Sequence, residues 1–317
     1  MFEVRIRPYA ETDAPEVEAL LLALWQHDPM MLAAYQMHRH WPQIGYLRQT
    51  LVAVQNGAIC GAGTIFQSSF HPMYPYVVIN VAPAAQRLGI GVALLARLRE
   101  LAPGSRLLAK AVQGDTAGTE FLAKHGFTVV ARSSSGLLDP AQPPVRHWLE
   151  GLPAAVKGFT LERWDGAAGT FTPLQIARVH AAVYNGFHAY SPLAALSDDI
   201  VQARFFGADV LEGSTVCVEQ DGALCGAASL IRNPSATPDA AARPEAYLVN
   251  LGVTGVAKSQ ADQLTAALIR HSLDWAREHN YVVRFEADDT YHPHYQLFGA
   301  APAEEVRRDL AALLTRS

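Results

Sequence analysis

Apolar residues recur along this chain with two periods, and the order in which those periods alternate predicts its elements. Arg5 to Tyr9 reads as a short strand, and Ala14 to Trp25 as a helix that Thr12-Asp13 can cap. Thr50 to Ala62 carries strand-forming residues on both sides of Asn56-Gly57, the pair that favours φ > 0 in a two-residue hairpin turn. Tyr76 to Val81 is a second β-branched run. It leads to a helix over Val92 to Leu101, with Ile90, Leu94, Leu95, Leu98 and Leu101 on one face and Pro103-Gly104 closing it. Another helical stretch ends at His125-Gly126-Phe127.

The same order then returns. Thr160 to Trp164 predicts a strand, Pro173 to Tyr184 a helix capped by Thr172, and Thr215 to Ala227 a hairpin around Asp221-Gly222. Set without a gap against Thr50 to Ala62, that hairpin repeats seven residues: Thr, Gln, Gly, Ala, Cys, Gly and Ala. Turn chemistry alone does not call for so many identities, so the chain reads as a duplication. Phe298-Gly299 then stands in the place of Gly126, and the Pro- and Ala-rich Arg232 to Pro244 is where the second copy is expected to be longer. Pro140 to Gly158, with Pro143, Pro144 and Pro153, is the expected linker. The halves are therefore placed at residues 1–152 and 153–317.

Composition narrows the class. A chain of 317 residues, 50% hydrophobic and 17% charged, suits two ordinary globular domains with full cores. A net charge of −5 gives no basic footprint for nucleic acid. No apolar run approaches the roughly 18 residues of a membrane span. Met1 to Arg7 reads as a strand, not as a signal peptide, and a cytoplasmic location is expected. Cys60, Cys217 and Cys225 lack metal-ligand spacing, and Cys60 and Cys225 fall in strand patterns where buried thiols belong. His38 and His40 diverge if helical, and His292 and His294 converge only on extended chain, so no metal site is expected.

Candidate chemistry gathers between the Tyr76–Val81 run and the helix after it, in Asn80-Val81-Ala82-Pro83-Ala84-Ala85-Gln86-Arg87-Leu88-Gly89-Ile90-Gly91. Glycines at a strand-to-helix turn let the backbone approach a ligand, and the helix start adds partial positive charge, so a phosphate suits the site. The other role for such glycines is close helix–strand packing. No Gly-Lys-Ser/Thr follows, so this is not a P-loop; without a third glycine and a later acidic residue it is not a dinucleotide fingerprint either.

The order V-x-P-x-x-Q-R-x-G-x-G resembles the acyl-CoA signature of the GNAT superfamily of N-acyltransferases, and both halves resemble GNAT domains. The resemblance implies two tandem α/β (α+β) domains, each a strongly twisted mixed sheet flanked by helices. The sheet would splay between its fourth and fifth strands, with the acyl-CoA arm in the gap. Those strands would be Tyr76 to Val81 and Leu107 to Gln113, then Ala246 to Val253 and Tyr281 to Glu286. Acetyl-CoA or coenzyme A is implied as co-substrate, held by Val81, Gln86, Arg87, Leu88, Gly89, Ile90 and Gly91, with the Val81 N–H meeting the oxyanion. Asp115 is a further contact or, equally, a helix cap. In the second half Gln260 to Thr265 stands in place of Gln86 to Gly91, with no glycine and with Asp262, so CoA is expected to bind weakly there or not at all.

The family often protonates the leaving thiolate with a tyrosine in F-Y-x-x-x-G-F. Here that slot holds Leu122, while Tyr295 occupies it in the second half. No glutamate stands on Tyr76 to Val81, leaving Tyr76, His71 and Tyr74 as candidate bases or relays. Trp25 to Trp41 and Tyr184 to Pro192, dense in aromatics and His, suit an acceptor pocket or an inter-domain contact. The expected activity is transfer of an acetyl or other acyl group from acetyl-CoA to an amine of a small-molecule or peptide acceptor, from the first half. A non-catalytic, acyl-CoA-responsive binding or scaffold protein is the alternative.

Overall fold

The two hairpins form as their turn residues dictate. Asn56 and Gly57 take φ of 52° and 81°, and Asp221 and Gly222 take the same pair of values. The computed structural model describes residues 4–27, 47–112, 114–166, 169–233, 243–290 and 292–314. Most of the aromatic segment up to Trp41, with His38 and His40, and most of the loop Arg232 to Pro244 lie outside them.

By their contacts the described residues divide into two units, one of residues 1–111, 115–130 and 311–317, the other of 112–114 and 131–310. In the first unit β1 (Val4–Pro8), β2 (Leu47–Gln55), β3 (Ala58–Gln67) and β4 (Tyr76–Val81) run antiparallel in sequence order, and β5 (Leu108–Val112) lies parallel to β4. Helix α1 (Ala14–Trp25) buries Val17, Leu20 and Leu21 on Val52 and Ala62. Asp13 stands at its N-cap without the side-chain cap bond expected there; its carboxylate instead accepts two bonds from the Arg7 guanidinium, at 2.6 and 2.8 Å, which hold it below the usual carboxylate range.

Helix α2 (Ile90–Glu100) lies on the opposite face of β3, and two glycines set how closely. A Cβ on Gly61 would come within 3.2 Å of Ile90, and one on Gly63 within 3.0 Å of Leu98. Ile90, Leu94 and Leu98 are buried there, as their spacing predicts. Helix α3 (Thr116–Lys124) follows β5, and β6 (Phe127–Leu138) follows it.

The second unit repeats the plan. It has β7 (Thr160–Arg163), α5 (Pro173–Phe187), α6 (Asp198–Phe205), β8 (Val216–Gln220), β9 (Ala223–Arg232), β10 (Glu245–Val253), α7 (Lys258–Glu278), β11 (Val282–Asp288), α8 (His292–Gly299) and β12 (Glu304–Leu314) up to Leu310. The repetition reaches details that no turn rule demands. The β2–β3 register slips between Ala53 and Val54, and the β8–β9 register between Val218 and Glu219, at the matching place. The Cys60 thiol bonds the Ala53 carbonyl, and the Cys225 thiol the Val218 carbonyl. Thr50 and Thr64 share a hydroxyl bond of 3.0 Å across one hairpin, as do Thr215 and Ser229 across the other. Among the described residues no helix is long and apolar enough to cross a membrane.

The expected linker is corrected. Pro143–Glu150 forms α4, with proline in its first turn, and Val145, Leu149, Leu152 and Val156 are core residues of the second unit. Its prolines start a helix instead of a flexible segment. The contact units also cross residue 152 in both directions. β6 pairs with β11 from Val283↔Leu138 to Asp288↔Ser133 inside the second unit, and in the first the Leu314 N–H donates to the Leu107 carbonyl at 2.8 Å. A chain cut near residue 152 would strip β5 of Leu314 and β11 of β6.

Gly63→Val tests the close approach of α2. Overpacking against Leu94 and Leu98 is expected to cost about 1–3 kcal/mol in guanidinium unfolding. An unchanged midpoint would show that the helix has room to move.

Candidate functional site

The site begins with a strand that loses its neighbour. β4 pairs with β5 only at Tyr76↔Leu108 and Val77↔Ala109. On its other edge Ala82 N–H donates to the Cys60 carbonyl at 2.9 Å, while Val81 stands opposite Gly61. Bonded and non-bonded pairs alternate in an antiparallel ladder, so Val78 and Asn80 turn their backbone groups to β3, and Ile79 and Val81 turn theirs to the β5 side. No residue of β5 is paired with Ile79 or Val81 among the described residues. The expected splay is therefore present, with the Val81 N–H pointing into it.

The chain then turns through a 3₁₀ segment, Pro83–Ala85, and two left-handed residues, Arg87 at φ 63° and Gly89 at φ 84°. Gly89 is the N-cap of α2 with no side-chain cap bond. The first bond into the helix is Ala93 N–H to the Gly89 carbonyl at 3.0 Å, so the amides of Ile90, Gly91 and Val92 precede any intrahelical partner. The positive end of the helix dipole lies at the same place. A Cβ on Gly89 would meet nothing within 4 Å, which leaves open space for a diphosphate.

The flanking residues divide the work. Gln86 donates from Nε2 to the Val81 carbonyl at 3.3 Å, tying the loop to the strand end. Arg87, 78% exposed, meets Glu120 at 3.1 Å in a solvated pair that contributes little to stability and can exchange for a phosphate. Leu88 is exposed. Gly91 has a different reason to be glycine: a Cβ there would meet the Phe121 ring at 3.2 Å, so it serves the α2–α3 contact.

The remaining expected residues lie apart from this loop. Asp115 caps α3, its carboxylate accepting from Gly118 N–H at 3.0 Å, which is the capping role allowed for it. Tyr76 stacks on Phe66 at 5.1 Å, at the paired end of β4, about 16 Å of strand away from Val81. Tyr74 lies beneath the Arg106 guanidinium at 5.5 Å, and His71 is buried in the turn before it. Leu122 is buried in α3. Asn80 was named in the motif without a role. It is a buried polar side chain on β4, and its Oδ1 accepts from Trp25 Nε1–H at 3.0 Å. The one sequence signal for it was an amide in an otherwise apolar strand.

The second unit closes both features. β10 and β11 pair from Glu245↔Val282 to Leu248↔Phe285. Beyond that, by the same alternation, Leu251 turns its backbone towards β11, as Ile79 does towards β5. There the buried imidazole of His294 bonds the Leu251 backbone and packs against Phe187 at 4.9 Å. Burial pushes the His294 pKa down to about 3, so the ring is a neutral plug. Helix α7 begins at Lys258, and Gln260 to Thr265 are already helical. Leu264 and Leu268 are buried like Ile90 and Leu94, which places extra helix where the first unit has its loop.

Gly89→Asp tests the loop. The side chain enters open space, and the strain of an aspartate at φ 84°, about 1–3 kcal/mol, stays local to the loop, so the chain is expected to stay folded. Coenzyme A affinity, measured by calorimetry, is expected to fall at least about tenfold, roughly 1.4 kcal/mol. Undiminished affinity in a folded variant would move the phosphate site elsewhere.

Residues 47–129, which hold the splay, the loop and α3, match the family model described as Acetyltransferase (GNAT) domain. No curated protein matches the sequence. Among solved structures, a GCN5-related N-acetyltransferase from Sphaerobacter thermophilus is similar with a TM-score of 0.62 and 14% identity, over 98% of this chain and 95% of its own. A tandem GNAT protein from the clavulanic acid biosynthesis pathway gives 0.59 at 20% identity, over 99% of this chain and 100% of its own. At such identities the likeness is one of fold. Residues 47–129 thus match a GNAT acetyltransferase domain, and the chain has, over its length, the fold of these two proteins.

Proposed function

We propose that the first half, residues 1–152, transfers an acetyl or related acyl group from acetyl-CoA to an amine of a small-molecule or peptide acceptor. Residues 153–317 are then a second copy that holds no CoA. One observation carries this reading: the free edge of β4 runs straight into an uncapped helix start. A CoA diphosphate on the amides from Leu88 to Val92 would lay its acyl arm along Ile79 and Val81. Gln86 would keep the strand end in place, and Arg87 would add charge to the phosphates.

Bound acetyl-CoA supplies an acyl group on a good leaving group, since a thiol pKa of about 8.5 lets the thiolate depart near neutral pH. The Val81 N–H stabilises charge on the acyl oxygen. Holding amine and thioester together can supply about 7–11 kcal/mol of the barrier, against about 10²–10⁴ in rate from a positioned acid. Leu122 in the acid's slot therefore slows the reaction without abolishing it.

The acceptor must lose a proton, because an alkylamine of pKa about 10.4 is neutral in only about one molecule in two thousand at pH 7. Tyr76, Tyr74 and His71 stand at the closed end of the splay, so a proton reaches them by a water relay along β4 and not by direct contact. A binding protein without turnover is the second reading. It is favoured by Leu122 and by the lack of a carboxylate on β4.

Free CoA released from acetyl-CoA by the full chain, with a panel of amines, separates the two. Steady, amine-dependent release is expected. Saturable acetyl-CoA binding with no release above the buffer rate would establish the binding protein.

A further inference from the structure

Helix α2 bars an acceptor from one face of β4. Helix α2 fills the face that carries Gly61 and Gly63, within 3.0–3.3 Å of where their Cβ atoms would be. Asn80 stands opposite Ala62, which packs on α1, so its side chain lies on the other face. Asn80 immediately precedes Val81, whose N–H enters the splay.

The orientation of the Asn80 amide follows from its partner. An indole N–H is a donor only, so the atom 3.0 Å from Trp25 Nε1 is Oδ1. Nδ2, with two hydrogens to donate, points the other way. It has no partner among the described residues, and it is not one of the polar atoms sealed from solvent without a bond. An amide in a buried strand position is costly unless its groups are used, and half of this one is unused among the described residues. Val78 and Tyr76, the next residues on this face, offer only an apolar surface and an aromatic ring stacked on Phe66.

We infer that Asn80 is a specificity residue for the acceptor, and that its Nδ2 donates to an oxygen held close to the reacting amine. This rests on the acyl-transfer reading above and narrows it. The acceptor class is an amine with a carbonyl oxygen on the neighbouring carbon, as in an amino acid amide or a peptide N-terminus. A plain alkylamine leaves the donor unpaired, which a site built to give a hydrogen bond penalises strongly.

Phenylalaninamide and phenethylamine differ by the carboxamide alone and make the matched probe. Wild-type chain is expected to release CoA with the first at a kcat/KM at least about tenfold above the second. Asn80→Asp keeps an acceptor for Trp25 and loses the donor, while Asn80→Leu loses both. Each is expected to erase the preference, with acetyl-CoA affinity by calorimetry within about twofold of wild type. Trp25→Phe, which frees the amide to rotate, is expected to weaken the preference. If Asn80 only anchored α1, Asn80→Asp would keep the preference, and that result overturns the inference while leaving acyl transfer standing. A preference that survives Asn80→Leu overturns it as well. Wild-type chain that releases no CoA with either amine overturns the acyl-transfer reading, and this inference with it.

Discussion

Backbone groups in the interior of a sheet need partners, and β4 is built so that some of its own have none in the strand beside it. An unpaired amide in a dry site costs about 1–3 kcal/mol, so Ile79 and Val81 ask for water or a ligand. Everything near them keeps that edge in place. Gly61 and Gly63 bring α2 close to β3, which puts the helix start at the end of β4. Gly89 supplies the left-handed turn between them, and Gly91 lets α3 pack beneath the loop through Phe121. An acyl carrier with a phosphate at one end and a carbonyl at the other fits both sets of open donors.

On the proposed reading, the second half has lost the site while keeping the fold. Its hairpin, register slip, thiol bond and hydroxyl pair all match the first. The changes fall on the two ligand-facing features. Extra helix at Lys258–Gln263 stands in place of the loop, so the amides that faced outward in the first copy bond within the helix in the second. His294 supplies the partner that the β10 backbone lacks. A neutral imidazole suits that task, because a charged one would be costly among Phe187 and Phe298. Where the first copy has an open loop and an unpaired strand edge, the second has helix and a buried imidazole.

Much of this was legible in the sequence wherever local chemistry decides. Asn-Gly and Asp-Gly fix the hairpins, apolar spacing fixes α1 and α2, and V-x-P-x-x-Q-R-x-G-x-G marks the loop. What depended on distant partners was not. Pro143 and Pro144 read as linker because proline breaks structure in mid-element but starts a helix at its first turn, and only the packing of Val145 and Leu149 tells the two apart. The unpaired stretch of β4 is a matter of register with β5, which no single-strand pattern contains. The packing reason for Gly91 was not legible either, because its neighbour Phe121 stands 30 residues further along the chain. Asn80 was visible as a residue, but its orientation comes from Trp25, on another element.

The central claim is that one copy holds coenzyme A and the other has closed its site. Calorimetric titration of the full chain with coenzyme A counts the sites directly. One site per chain is the predicted result. Two equivalent sites per chain would contradict the account, because Lys258–Gln263 and His294 would then have to make way for a ligand.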